Sequence, residues 1–234
     1  MSIDAPKATG EAVPQTPAGA SITRVLVAII AVAVLAIAVA GGYFWGTRSE
    51  PGSTSTMPGT SSVDAGFARD MATHHQQAVT MAGYVRDNPS NRNVANVAYD
   101  IETAQSIQLG ELTGWLETWD VSRNSGTPMS WMGGHGGMSH HVGANGLMPG
   151  MATPAQMTKL QSLHGKAMDV LFLQLMIRHH QGGVAMARYA EAHAGQPYVR
   201  NLAGHMLAAQ TAEIVQMEQL LRQLGGSPLP SPTS

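Results

Sequence analysis

The chain has 234 residues, a formal net charge of −2 and no cysteine. Its length and its apolar content of 44% fit one compact domain with appendages. The near-neutral charge, without any cluster of lysine or arginine, excludes electrostatic steering of nucleic acid. The absence of cysteine excludes disulfides, thiolate metal sites, cysteine nucleophiles and a bacterial lipoprotein anchor. The 10 histidines and 15 methionines are high numbers for a chain in which only 12% of residues are charged.

Residues 25–46 form an uncharged apolar segment that is long enough to cross a bilayer as a helix. Three aromatic residues at 43–45 are typical of the membrane interface. Because basic residues precede the segment, the positive-inside rule predicts that residues 1–24 are cytoplasmic and that the domain lies outside the cytoplasm. The alternative is a signal peptide cleaved after the small residues 38–40, which would make the protein secreted. The long N-terminal region and the aromatic residues favour a single-pass membrane anchor.

The chain beyond the anchor begins with a linker and continues with helical periodicity. Residues 47–62 are rich in Ser, Thr, Pro and Gly and predict a flexible linker. A first helix is expected over about 64–87 and a second over about 93–119. A loop rich in glycine, methionine and histidine occupies residues 120–153.

The second half of the domain begins with a clear helix start. Residues 153–156 (Thr-Pro-Ala-Gln) combine an N-cap, a proline at the first helical position and a capping-box glutamine. They start a third helical stretch, broken near Gly165, that ends at 195–197. A fourth helix is expected to end at Leu224, before a disordered tail at 225–234. No strand is predicted, and two helical hairpins of this kind predict an all-α domain, a four-helix bundle over residues 63–224.

A long internal duplication relates the two halves of this domain. Residues 64–84 return as 169–189 at a constant offset of 105, with ten identical residues in 21 aligned positions and no gap. Each copy contains the motif Met-x-x-His-His, which begins at Met71 in the first and at Met176 in the second. A repeat of this length indicates two copies of one supersecondary unit that cover each other's apolar faces.

The histidines and methionines of each copy lie on one helical stripe, given about 100° per residue. Because each helix must bury that stripe, imidazole and thioether groups are expected to point inward together. Imidazole suits Cu, Zn, Fe and Ni, whereas a thioether selects soft ions, above all Cu(I). A set of His and Met without carboxylates therefore favours copper over zinc. It also disfavours a ferritin-type di-iron centre, which uses inward glutamates and Glu-x-x-His pairs.

Other interpretations of these residues stay open. The histidine pairs can instead form a buried polar network through Gln76, Gln181 and Asp70. Met81 and Met186 can instead be ordinary residues of the hydrophobic core, since methionine at helical spacing usually packs against other apolar side chains.

The central loop contains a second set of soft ligands. These residues are Met129, Met132, His135, Met138, His140, His141, Met148 and Met151. Their glycine-rich surroundings favour flexible capture and transfer of Cu(I), and the alternative is a disordered linker between the hairpins. His164 is a further candidate, whereas His193 and His205 lack repeat partners and are expected to be ordinary polar residues.

The chain resembles a bacterial family, the duplicated His-His family known as domain of unknown function 305. The resemblance covers residues 64–224 and rests on both Met-x-x-His-His motifs, on the Gln105/Gln210 pair and on Met148-Pro-Gly-Met151. It implies a ferritin-like four-helix bundle, often exported, with copper binding or copper tolerance in some members. The ligands it implies are Met71, His74, His75 and Met81 from the first copy and Met176, His179, His180 and Met186 from the second.

The first copy departs from the second at one point of this site. It has Gln77 and Ala78 where the second copy has Gly182 and Gly183. The two half-sites are therefore expected to differ in depth or affinity.

These patterns predict a membrane-anchored, extracytoplasmic protein that binds Cu(I) and either sequesters it or passes it on. Other soft or borderline transition metals are further candidates for the bound ion. Ligand histidines must be neutral, so affinity is expected to fall below about pH 6.5. A second interpretation is a non-enzymatic helical accessory subunit that docks on a membrane or envelope complex. A third is a ferritin-like metal oxidoreductase, which lacks the expected carboxylates. Since no nucleophile or acid–base pair stands out, no enzymatic activity is predicted.

Overall fold

The computed structural model describes residues 57–88, 90–133, 142–143 and 146–232, and within these ranges it contains helices but no strand. The helices are α1 (Val63–Asp87), α2 (Arg92–Thr118), α3 (Pro154–Ser162), α4 (Gly165–His193) and α5 (Pro197–Gln223), with a 3₁₀ turn at Ser130–Met132. The prediction of an all-α domain is confirmed. None of the described helices combines the length and apolar character needed to cross a membrane. The predicted cytoplasmic segment and anchor at residues 1–46 lie outside the described residues.

Local signals set the ends of the helices. The Ser62 hydroxyl accepts a hydrogen bond from the Ala65 amide at 3.1 Å and caps α1. Thr153 and Gln156 form the predicted capping box at the start of α3. Gly165 adopts a φ of 64°, which separates α3 from α4 at the predicted break.

The two sequence repeats fold as two helical hairpins. Helix α1 packs along α2 and α4 along α5, and the hairpins meet mainly through α1 and α4. Apolar cluster 1 joins Met71, early in α1, to Met186, late in α4, whereas apolar cluster 2 joins Met81 to Met176. Helices α1 and α4 therefore cross antiparallel, and the middle of each lies between the two clusters.

Asp70 ties the central loop to α1. Its Oδ2 accepts hydrogen bonds from the Met129 amide at 2.6 Å and from the Trp131 indole at 2.8 Å. Trp131 then packs edge-on against Phe67 and Tyr189, at centroid distances of 5.9 and 5.6 Å. The corresponding position of the second repeat is Leu175, so this link to the loop belongs to the first repeat alone.

The chain after α5 turns back along α4. Gly225 adopts a φ of 73° at this turn. The Gln174 amide donates to the Ser227 carbonyl at 2.8 Å, and Leu229 packs against apolar cluster 2. Ser227 and Leu229 thus make specific contacts in a segment whose composition predicts disorder. The apolar side chain of Leu229 makes this contact, which the Pro/Ser-rich composition around it does not predict.

Candidate metal centre

The four repeat histidines meet in the core where α1 crosses α4. His74, His75, His179 and His180 are each at most 1% exposed. The rings of His74 and His179 have centroids 3.7 Å apart and planes tilted by 34°, and the His179 and His180 centroids are 6.3 Å apart. The two histidine pairs, one from each copy of the repeat, therefore meet where the helices cross.

Two polar residues that were not predicted from the sequence form hydrogen bonds with Nε2 of the second histidine of each pair. Nε2 of His75 lies 2.8 Å from Oε1 of Gln108, and Nε2 of His180 lies 2.7 Å from Oε2 of Glu213. Gln108 and Glu213 are themselves separated by the repeat offset of 105 residues. Applying that offset to polar residues of the second and fourth predicted helices would have found them.

Each of the four histidines keeps one buried ring nitrogen without a hydrogen-bond partner. These atoms are Nδ1 of His74, His75 and His180 and Nε2 of His179. An unpaired buried polar atom costs about 1–3 kcal/mol, so four in one place call for a ligand. A neutral imidazole with a free lone pair is the most common metal ligand in proteins. The histidines thus fit a transition metal.

The alternative polar network does not form as predicted. Asp70 binds the central loop rather than the histidines. Gln76 is exposed, and Oε1 of Gln181 is buried without a partner. The histidine pairs are bonded instead to Gln108, Glu213 and a backbone carbonyl.

Burial lowers the pKa of three of the four imidazoles and favours their neutral form. Desolvation and, secondarily, the neighbouring His75 lower the pKa of His74 to about 3. Desolvation lowers the pKa of His75 to about 4, although its bond to Gln108 acts in the opposite direction. Desolvation also lowers the pKa of His179 well below its ordinary value. The expected loss of metal affinity below pH 6.5 assumed ordinary histidine pKa values, whereas burial lowers the pKa of these three rings.

The histidines are not pre-arranged around a metal ion. In the described part of the chain, no group of three or more His, Asp and Glu side chains has the arrangement of a metal site. His74 packs closely against His179, and their ring planes are tilted by 34°. Metal binding here requires a rotation of the rings or donors from other side chains.

The four repeat methionines lie in the two apolar clusters on either side of the crossing. Met71, Met81, Met176 and Met186 are all 0% exposed. Because α1 and α4 cross antiparallel, Met71 shares apolar cluster 1 with Met186, and Met81 shares apolar cluster 2 with Met176. Each apolar cluster therefore contains one repeat thioether from each copy.

The predicted loop site is divided by the structure. Met129, Met132 and Met148 are buried in apolar cluster 1, and Met151 packs against it. His135, Met138, His140 and His141 lie outside the described residues. Among the remaining histidines, His164 is exposed before α4, His193 stacks on Tyr189 at 4.3 Å, and His205 is exposed on α5.

Residues 148–152, here called the strap, cover the histidines on one side. The Pro149 carbonyl lies 3.3 Å from Nε2 of His74. The amide of Gln77 makes two hydrogen bonds, of 2.9 and 2.7 Å, to the backbone at the end of the strap. A Cβ atom at Gly182 would overlap the Pro149 carbonyl. The departure between the copies therefore has a structural reason: Gln77 binds the strap, and its counterpart Gly182 leaves room for it.

A family model for a domain of unknown function (DUF305) matches residues 64–221. No functionally curated protein matches the chain. A DUF305 protein of Streptomyces coelicolor, provisionally designated as secreted, has 42% identity over 74% of this chain and 99% of its own, with a TM-score of 0.66. A DUF305 fragment of Deinococcus radiodurans has 29% identity over 69% of this chain and 96% of its own, with a TM-score of 0.56.

A third similar structure is that of CopM in its Cu(I)-bound form. It has 23% identity over 70% of this chain and 98% of its own, with a TM-score of 0.53. At this identity the likeness shows a shared fold. The family match spans more than half of the sequence, and the three similar structures share the fold of the helical domain. The chain belongs to the DUF305 family.

Proposed function

We propose that the protein binds copper, with Cu(I) favoured, where α1 crosses α4, and that it sequesters the ion or passes it on outside the cytoplasm. The observation that carries this proposal is the set of four buried imidazoles, each with one unpartnered ring nitrogen, between two clusters that contain thioethers. The proposed ligands are drawn from Met71, His74, His75, Met81, Met176, His179, His180 and Met186.

The chemistry of this ligand set favours copper over harder ions. Imidazole and thioether groups are borderline and soft ligands, and their combination suits Cu(I). Three of the histidines have pKa values lowered by burial, so they are ready to bind without losing a proton at neutral pH. CopM, which shares the fold, is known in both Cu(I)-bound and Cu(II)-bound forms.

The proposal includes a location and a mode of action. The apolar segment at residues 25–46 anchors the chain in the membrane, and the ferritin-like domain lies outside the cytoplasm, where an envelope protein can receive the ion. The provisional designation of the Streptomyces coelicolor relative as secreted agrees with an exported domain. The protein acts by binding rather than by catalysis, and the central loop with its methionines and histidines supplies a second site.

A Cu(I) competition titration against a chromophoric chelator tests this proposal. The full chain is compared with a variant in which His74, His75, His179 and His180 are all changed to Ala. The proposal predicts tight binding by the parent and its loss in the variant, with an intact helical circular-dichroism signal. A matched control with the exposed His164 and His205 changed to Ala should bind as the parent does.

Two outcomes would contradict the proposal. Tight binding that survives in the four-histidine variant would move the site to the central loop. No competitive binding by the parent would favour the helical accessory subunit that docks on an envelope complex. If the four-histidine variant does not fold, a milder variant with only His75 and His180 changed to Gln decides between the same outcomes.

A further inference from the structure

The two halves of the histidine cluster differ in one outer hydrogen-bond partner. Gln108 on α2 and Glu213 on α5 occupy the same position of the repeat, and each holds Nε2 of the second histidine of its pair. The distances, 2.8 and 2.7 Å, are nearly equal. The difference between the halves is therefore chemical: an amide supports His75 and a carboxylate supports His180.

This difference decides how firmly each ring is fixed. A carboxylate can only accept a hydrogen bond, so Nε2 of His180 must donate, and its buried Nδ1 is left with a free lone pair. An amide has both an accepting oxygen and a donating NH₂ group, so a flip of Gln108 satisfies either tautomer of His75. Of these two histidines, only His180 has its metal-binding nitrogen determined by its partner; the Pro149 carbonyl, which also can only accept, fixes that of His74.

We infer that Glu213 is a positioning residue that makes His180 a stronger ligand for Cu(I) than His75, which is the weaker, exchangeable one of the two. This inference rests on the proposed function. A carboxylate bonded to the outer N–H of a histidine fixes the orientation of the ring and strengthens it as a metal ligand. The two halves of the site thus differ in affinity for the ion. The half on α4 binds it more tightly, and the half on α1 releases it more readily.

The position of Glu213 makes the inference testable without damage to the core. Its side chain is 24% exposed, whereas His180 is fully buried. Glu213→Gln is nearly isosteric and turns the second half into a copy of the first. Gln108→Glu makes the reverse change, and the double variant exchanges the two halves. Glu218→Gln, which removes a surface carboxylate from the same helix, is the matched control.

The first readout is the histidine tautomer in the metal-free full chain, measured by NMR of ¹⁵N-labelled rings. We expect His180 to be entirely the Nε2–H tautomer in the parent and a mixture in Glu213→Gln. Gln108→Glu should fix His75 in the same tautomer. A mixture at His180 in the parent, or no change in Glu213→Gln, would overturn the positioning role.

The second readout is the Cu(I) competition titration. Loss of the outer partner of a metal-binding histidine typically lowers metal affinity by about 10–100-fold, and we expect this loss in Glu213→Gln. The double variant should recover most of it, and Glu218→Gln should bind as the parent does. Equal affinity of the parent and Glu213→Gln would overturn the inference. A parent that binds no Cu(I) would instead overturn the proposed function, and the tautomers would still decide the role of Glu213.

Discussion

Replacement of Gly182 with alanine tests whether the strap is packed firmly over the histidines. The new Cβ would lie 2.6 Å from the carbonyl carbon of Pro149, about 0.8 Å short of the 3.4 Å at which ordinary contact begins. Because this neighbour is backbone, the strap or α4 must shift. Such overpacking costs about 1–3 kcal/mol, and the higher helix propensity of alanine returns about 0.5–1 kcal/mol. We expect a net loss of about 1 kcal/mol in the free energy of unfolding.

The assay is urea unfolding of the full chain, followed by circular dichroism. The matched control is Gly114→Ala on α2, where nothing lies within 4 Å of the new Cβ. This control should be more stable than the parent by about 0.5–1 kcal/mol, because only the propensity term operates. If Gly182→Ala proves as stabilising as Gly114→Ala, the strap does not rest on α4, and the enclosure of the histidines is refuted.

Three further predictions follow from buried polar groups. The pKa values of His74 and His75 lie below their unfolded value, so the unfolded state takes up protons first. Stability should therefore fall as the pH drops from about 6.5 towards 4, by at most about 3 kcal/mol per pH unit for the two histidines together. Urea unfolding at pH 7, 6 and 5 checks this, and a flat profile would contradict it. In a His180→Ala variant the three remaining histidines have pKa values lowered by burial, so its Cu(I) affinity in chelator competition should change little between pH 7 and 5.5, and a tenfold loss would count against it. Asp70→Ala leaves the Trp131 indole N–H and a backbone amide without their acceptor, so urea unfolding should show a loss of stability of about 1–3 kcal/mol for each donor. The control, Asp87→Ala at an exposed position, should lose less than about 1 kcal/mol. Equal effects would refute the anchoring role of Asp70.

Local physical signals account for most of the fold that the sequence predicts. The N-cap at Thr153 and the break at Gly165 act through neighbouring residues, so a linear pattern reveals them. The constant repeat offset predicts that the two histidine pairs meet, because two equivalent units must cover each other's apolar faces.

The remaining features depend on contacts between distant parts of the chain. Nothing in the local sequence around Asp70 indicates that it binds Trp131, 61 residues away. The burial of Met148 in apolar cluster 1 follows from the path of the strap, whereas its glycine-rich surroundings predict a flexible loop. The stacking of His74 on His179 depends on the crossing of two helices, which helical periodicity does not specify.

The most direct test of the central claim is X-ray absorption at the copper edge of the Cu(I)-loaded full chain, which identifies the atoms bound to the ion. The account predicts scattering from imidazole rings together with thioether sulfur, and loss of the imidazole component when His74, His75, His179 and His180 are changed to Ala. Copper bound by sulfur alone in the parent, or a spectrum that the four substitutions leave unchanged, would contradict a copper site at the crossing of α1 and α4.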